Sequence, residues 1–214
     1  MPKRESSHRA LAGFGVVAVL VVCYFVLDRP VARFAERIPA GLNALFHGVS
    51  FLAGLPLITT AGAVMVALYF IRVYGQGRPR RRLVPLIYLP AATLTASLAT
   101  ETLKVVLARY RPGMLIDSGL YGFTFWKAGY WFNSFPSGHA TVAFALGGAV
   151  ALTFPRWRGP ALVLAALVAL SRVLLNLHYL SDIVAGGLLG IGWALVYRRL
   201  FIRLNLPVQP EEAT

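Results

Sequence analysis

Three short groups of polar residues interrupt an otherwise apolar chain. They are Lys104 to Arg111-Pro112, then Pro136-Ser137-Gly138-His139, then Ser171-Arg172 followed by His178 and Asp182. Lys104, Arg111 and Arg172 offer three cations. A guanidinium meets phosphate oxygens as a two-pronged fork, and an ammonium acts as a compact charge. Ser137-Gly138 has the composition of a helix start. Free backbone N–H groups and the positive end of the helix dipole favour an anion there, and glycine lets it approach. His178 and Asp182 are spaced i, i+4, which puts them on one face if a helix runs through both. A carboxylate so placed fixes the imidazole tautomer and leaves the other nitrogen free to attack. His139 adds a second imidazole. The set amounts to an anion cradle, a nucleophile with an orienting acid, and a second histidine.

The elements that must carry these residues are membrane helices. The 214 residues are 57% hydrophobic and 14% charged, against roughly a quarter charged in soluble domains. Mean hydropathy is +0.66. The pattern is that of an all-α, six-transmembrane-helix bundle in a single integral-membrane domain, residues 1–214. The expected spans are 10–27, 55–74, 83–108, 138–154, 160–175 and 180–200. The first apolar run lacks a convincing small-residue cleavage site and reads as a span rather than a signal peptide. Residues 28–51 are mixed, with an amphipathic interfacial helix expected over 38–51, and His47 in it reads as an interface residue. Residues 109–135 read as a loop, whose Trp126, Tyr130 and Trp131 suit an interfacial aromatic belt.

A net charge of +13 would point to nucleic acid in a soluble protein. In an apolar chain it is better explained by basic flanks of membrane helices and an anionic ligand, so no nucleic-acid partner is expected. Lys3, Arg4, Arg9, Arg72, Arg78, Arg80, Arg81, Arg82, Arg156, Arg158, Arg198, Arg199 and Arg203 fall on one side if both termini do. The bias puts the termini in the cytoplasm and the polar groups at the extracytoplasmic (periplasmic) face of the cell membrane. The only cysteine, Cys23, permits no intrachain disulfide, and no Cys/His metal spacing occurs.

Helix lengths predict that the three groups converge. From His139 a helix descends about 25 Å, Pro155 to Gly159 turns, and a second helix climbs back to Ser171-Arg172. Glu101, one turn before Lys104, is a candidate partner for that ammonium. Asp117 and Lys127 are candidates to touch a head group. Gly186, Gly187 and Gly190 allow close packing within the bundle or between chains, so oligomeric state stays open.

Taken together, the three groups resemble the signature of the type 2 phosphatidic acid phosphatases, a superfamily that also includes vanadium-dependent haloperoxidases. That pattern is Lys-x6-Arg-Pro, Pro-Ser-Gly-His and Ser-Arg-x5-His-x3-Asp, and every fixed position is matched here. The first hundred residues match no motif. The resemblance implies that His178 attacks phosphorus, that Asp182 supports it, and that His139 protonates the leaving oxygen and then activates water. It implies that Lys104, Arg111, Ser137, Gly138 and Arg172 hold the phosphoryl oxygens. Neither a metal nor another cofactor is implied. The expected activity is hydrolysis of a membrane lipid phosphate. Candidate substrates are undecaprenyl pyrophosphate, placed first, phosphatidylglycerol phosphate, phosphatidic acid and the 1-phosphate of lipid A. A phosphotransferase using the same site is the alternative, followed by a non-catalytic lipid-phosphate binder or transporter.

Overall fold

The protein is seen here as a computed structural model that describes residues 13–76, 81–206 and 208–209. Helix α1 covers Gly13–Ala35, with a π-helical turn at Cys23–Leu27. Then come α2 (Asn43–Phe51), α3 (Leu55–Gln76), α4 (Pro85–Leu107) and the short α5 (Pro112–Ser118). The chain continues through α6 (Gly138–Thr153), α7 (Arg158–Leu174) and α8 (Leu180–Arg203). Among the described residues there is no β-strand, only isolated bridges from Arg109 to Phe123 and to Asn133.

Local chemistry sets the boundaries. Pro85 and Pro112 open α4 and α5, where a missing N–H costs nothing. Helix α5 stops at Gly119, whose φ of 68° suits a residue without Cβ. Ser137 caps α6. Helix α8 starts with a capping box in which Asp182 Oδ2 accepts the Tyr179 N–H at 2.9 Å.

Helix α6 is central and packs against α4, α7 and α8. Its contact with α8 is close enough that a Cβ on Gly186 would stand 2.6 Å from the Ser137 carbonyl oxygen. Gly190 faces the Thr141 carbonyl and the Ala145 amide in the same way. These two glycines therefore serve packing within the bundle. On the other side, a Cβ on Gly147 would meet the Ala161 carbonyl of α7 at 3.0 Å.

Among the described residues, four helical stretches are long and apolar enough to cross a membrane: Gly13–Ala35, Asn43–Gly75, Pro155–Leu174 and Leu180–Arg203. Gly138–Thr153 is a shorter apolar helix. Helix α4 is 23 residues long and carries Glu101 and Lys104 in its last turns.

Several boundaries differ from the sequence expectation. The first helix runs past 27 to Ala35, because the charge of Asp28 is met inside the bundle instead of ending the span. The expected interfacial helix over 38–51 begins only at Asn43, after a 3-10 turn at Ala40–Leu42. The segment 109–135 is not simply loop, since it holds α5 and a 3-10 turn at Tyr130–Phe132. Lys3, Arg4, Arg9, Arg78 and Arg80, used above to orient the chain, lie outside the described residues.

Candidate active site

The end of α4 meets the start of α6. Lys104 Nζ lies 2.7 Å from Glu101 Oε1 and 3.1 Å from where a Cβ on Gly138 would stand. Gly138 is thus the residue that admits the ammonium to the helix N-terminus. There the N–H groups of Gly138 and His139 precede the i→i−4 ladder. Ser137 is fully buried, and its Oγ accepts from the Ala140 N–H at 3.5 Å as the cap.

Arg111 follows a left-handed residue, Ala108 (φ 39°), which ends α4 and turns the chain back over the site. Its guanidinium is largely buried and donates to three carbonyls: Tyr130 at 2.8 Å, Leu177 at 3.2 Å and Asn133 at 3.4 Å. It also lies 4.2 Å over the Tyr130 ring. Burial lowers its pKa. Arg172, near the end of α7, donates from Nη1 to Ser50 Oγ of α2 at 2.6 Å. Its Nε is buried with no hydrogen-bond partner among the described residues. The Arg172 carbonyl accepts the N–H groups of Leu177 (3.0 Å) and His178 (3.2 Å), which ties the loop bearing His178 to the end of α7.

His178 is 3% exposed. Its Nδ1 lies 2.7 Å from the Ser134 carbonyl oxygen and 3.5 Å from Asp182 Oδ2. A carbonyl only accepts, so Nδ1 carries the proton and Nε2 holds a free lone pair. No helix runs through both His178 and Asp182, so the shared helix face is corrected here, while the carboxylate still faces Nδ1. His178 precedes α8, and the Ser134 carbonyl is the nearer partner. Burial lowers the His178 pKa to about 4, with Arg111 and Arg172 acting in the same direction and Asp182 opposing. The ring is therefore neutral near neutrality.

His139 is half-buried at the first turn of α6 and lies in the field of Arg172, His178, Lys104 and Arg111. The eight residues marked by the sequence are therefore neighbours at one end of the bundle. Asp117 and Lys127 are exposed. Lys127 Nζ rests 4.9 Å over the Phe132 ring, outside the cation group.

Sequence reasoning missed the buried ion pairs behind this group. Arg109, Asp28 and Asp182 are each 0% exposed. Arg109 Nη2 donates to Asp28 Oδ2 at 2.7 Å, and Nη1 pairs with Asp182 Oδ1. Burial would lower the Arg109 pKa, but the charges of Asp182 and Asp28 outweigh it and raise it. Asp28 was visible as a lone carboxylate closing an apolar run, a costly placement that marks a paired residue. Arg109 was hidden among the unspecified positions of the motif between Lys104 and Arg111.

An apolar cavity of about 230 Å³ lies one helical turn inward of these residues. Its lining includes Ala143 on α6, four residues from His139, and Val168 on α7, four residues from Arg172. It also includes Ala53, three residues after Ser50. The α6 and α7 walls are thus continuous along their helices with residues of the polar group.

Residues 85–205 match the PAP2 superfamily. The chain is 34% identical over 159 residues to a lipid A 1-phosphatase of Rhizobium etli, covering 72% of this chain and 63% of the relative. It is 32% identical over 154 residues to a lipid A 1-phosphatase of Rhizobium johnstonii, covering 72% and 58%. The chain thus spans less than two thirds of these curated relatives. Its fold is similar to crystal structures of LpxE from Aquifex aeolicus and of a transmembrane PAP2-type phosphatidylglycerolphosphate phosphatase from Bacillus subtilis. The first has a TM-score of 0.59 at 20% identity and covers 82% of this chain and 96% of that one. The second has a TM-score of 0.52 at 20% identity and covers 89% and 96%. The match from the start of α4 to the end of α8 takes in all three polar groups, and the chain belongs to the PAP2 superfamily.

Proposed function

We propose that the protein is a lipid phosphatase that hydrolyses the phosphate of a membrane lipid through a phosphohistidine, with the 1-phosphate of lipid A as the first substrate to test. The observation that carries the reading is the state of His178. Its Nδ1 is held by a carbonyl and its Nε2 is free, beside Arg172 and Arg111. A site for binding alone needs the cations but not this nucleophile. The apolar cavity one turn away supports a lipid over a soluble ester. The named relatives support lipid A over undecaprenyl pyrophosphate, phosphatidylglycerol phosphate and phosphatidic acid.

In this mechanism His178 Nε2 attacks phosphorus, and the bond from phosphorus to the lipid oxygen breaks. His139 gives that oxygen a proton. A water then attacks the phosphohistidine, His139 takes its proton, the P–N bond breaks and inorganic phosphate leaves. Lys104, Arg111, Arg172, Ser137 and the Gly138 N–H stabilise the charge on the phosphoryl oxygens. The chain spans the membrane six times, with α4 and α6 as the two further spans, both termini cytoplasmic and the site extracytoplasmic. The distribution of Lys and Arg along the sequence supports this orientation.

Phosphate release by detergent-purified protein in EDTA, measured on that lipid panel beside His178→Ala, tests the reading. Turnover by the parent and loss of several orders of magnitude in the variant are expected. Absence of release from every lipid would sink it.

A further inference from the structure

We infer that Arg109 is a positioning residue for the reacting pair and that Asp28 completes its setting, so α1 belongs to the reaction apparatus. The inference rests on the reading of His178 as nucleophile.

Arg109, Asp28 and Asp182 have lost all contact with solvent. Withdrawing three charges from water costs several kcal/mol each unless every one is partnered. Here the guanidinium fork spans the two carboxylates, one from α1 and one from α8. It also donates to Ser181 Oγ at 2.7 Å and to Tyr121 Oη at 2.9 Å. Four rings enclose it, with Tyr179 at 4.4 Å, Tyr24 at 4.8 Å, Tyr121 at 5.2 Å and Phe123 at 5.3 Å. Asp28 in turn accepts the Ser181 N–H at 2.9 Å and the Ser181 hydroxyl at 2.5 Å, so α1 holds the start of α8.

Anchoring alone would be served as well by apolar residues of similar volume. What the charges add is a route to His178. One Asp182 oxygen is taken by Arg109. The other accepts from Ser134 Oγ at 2.6 Å. The Arg109 backbone carbonyl accepts the Ser134 N–H at 3.2 Å. Ser134 is also the residue whose carbonyl fixes His178 Nδ1. Arg109 thus holds Ser134 from two directions, and Ser134 sets the tautomer of the nucleophile.

The test compares the parent with Arg109→Gln, Arg109→Lys and Asp28→Asn as full-length protein in detergent. Kinetics with the best lipid of the panel, inhibition by vanadate, and ¹⁵N-histidine NMR of the His178 tautomer are measured. Arg109→Gln is expected to lower kcat about 10- to 100-fold, the range for outer residues that orient a reacting group. KM and vanadate inhibition should stay within about threefold, because Lys104, Arg111 and Arg172 are untouched. Removing a positive charge should also move the acid limb of kcat/KM upward, against the fixed background of Asp182, Arg111, Arg172 and His139 around the ring. Arg109→Lys keeps the charge but not the two-pronged span, and should recover only part of kcat. If Arg109→Gln does not fold, Asp28→Asn carries the test, with a smaller kcat loss and a mixed tautomer expected. Unchanged kcat, or a loss matched by weaker vanadate binding with no movement of the acid limb, overturns the inference. Absence of turnover in the parent would remove the phosphatase reading instead. The NMR arm then decides, and an Nδ1–H tautomer kept in Arg109→Gln overturns the positioning role.

Discussion

His178 Nδ1 lies 2.7 Å from the Ser134 carbonyl oxygen, nearer than its 3.5 Å separation from Asp182 Oδ2. The tautomer is therefore held by a backbone carbonyl, whose position depends on the grip of the Asp182 carboxylate on the Ser134 hydroxyl. Asp182→Asn should loosen Ser134, mix the His178 tautomers and cost about 10²-fold in kcat, far less than His178→Ala. It should also destabilise the protein by about 3–5 kcal/mol, since Arg109 keeps its buried charge and loses one partner. Rates per folded molecule, with thermal unfolding in detergent as the control, check both parts.

The His178 ring should stay neutral well below neutrality. Burial, Arg111 and Arg172 lower its pKa to about 4 from an ordinary value near 6.5. The sign is that of a cation made costly, so protonation removes the proposed nucleophile only as pH falls toward 4. Following the His178 signals by NMR from pH 7 to 4 in detergent should show no titration until below about pH 5. A midpoint near 6.5 would contradict the buried setting.

Lys104 and Gly138 should fail as one unit. A Cβ at 138 would stand 3.1 Å from Lys104 Nζ and push the ammonium from the helix start. Gly138→Ala and Lys104→Gln are each expected to lower kcat/KM about 10²-fold, the scale of losing one donor to transition-state charge. The double variant should be little worse than either, because both remove the same interaction. Additive losses would show that the two act separately.

The apolar cavity gives a test of substrate class. Ala143→Phe or Val168→Phe would fill it one turn from His139 and Arg172. Such variants should raise KM about tenfold for a long-chain lipid phosphate and leave a short-chain, water-soluble phosphate ester unaffected. Equal losses on both substrates would mean that the cavity only supports the helices.

Arg172 is held by Ser50 at 2.6 Å across 122 residues of sequence. Ser50→Ala should weaken vanadate inhibition several-fold and change kcat less, since it loosens an anion-binding fork without touching the histidines. Vanadate inhibition curves with and without the substitution check this.

Much of this arrangement was legible in the chain because its signals are local. The run from Lys104 to Asp182 announces its polar groups by contrast with apolar neighbours, and helix length alone returns Arg172 to the level of His139. Ser137 reads as a cap and acts as one. Glu101 reads as a partner for Lys104 and is found at 2.7 Å. What was not legible depends on contacts far apart in sequence. Nothing near Asp28 says that it meets Ser181 and Arg109, and nothing near Ser50 says that it meets Arg172. Asp182 was read from its i, i+4 spacing to His178, but the helix begins between them at Leu180 and the spacing acts through a capping turn. A backbone carbonyl, such as that of Ser134, leaves no trace in residue identity at all.

Gly186 and Gly190 bring the backbones of α8 and α6 into direct contact. Two helices so joined cannot slide along one another, because either backbone would collide with the other. A bilayer thinner or thicker than the apolar stretches is accommodated by tilting helices. Here that adjustment falls on other helices, while the helix that opens at Gly138 and the one that carries Asp182 move as a single body. The distance from the start of α6 to Asp182 is then independent of membrane thickness, and under the proposed function turnover should be the same in vesicles of short and long lipids.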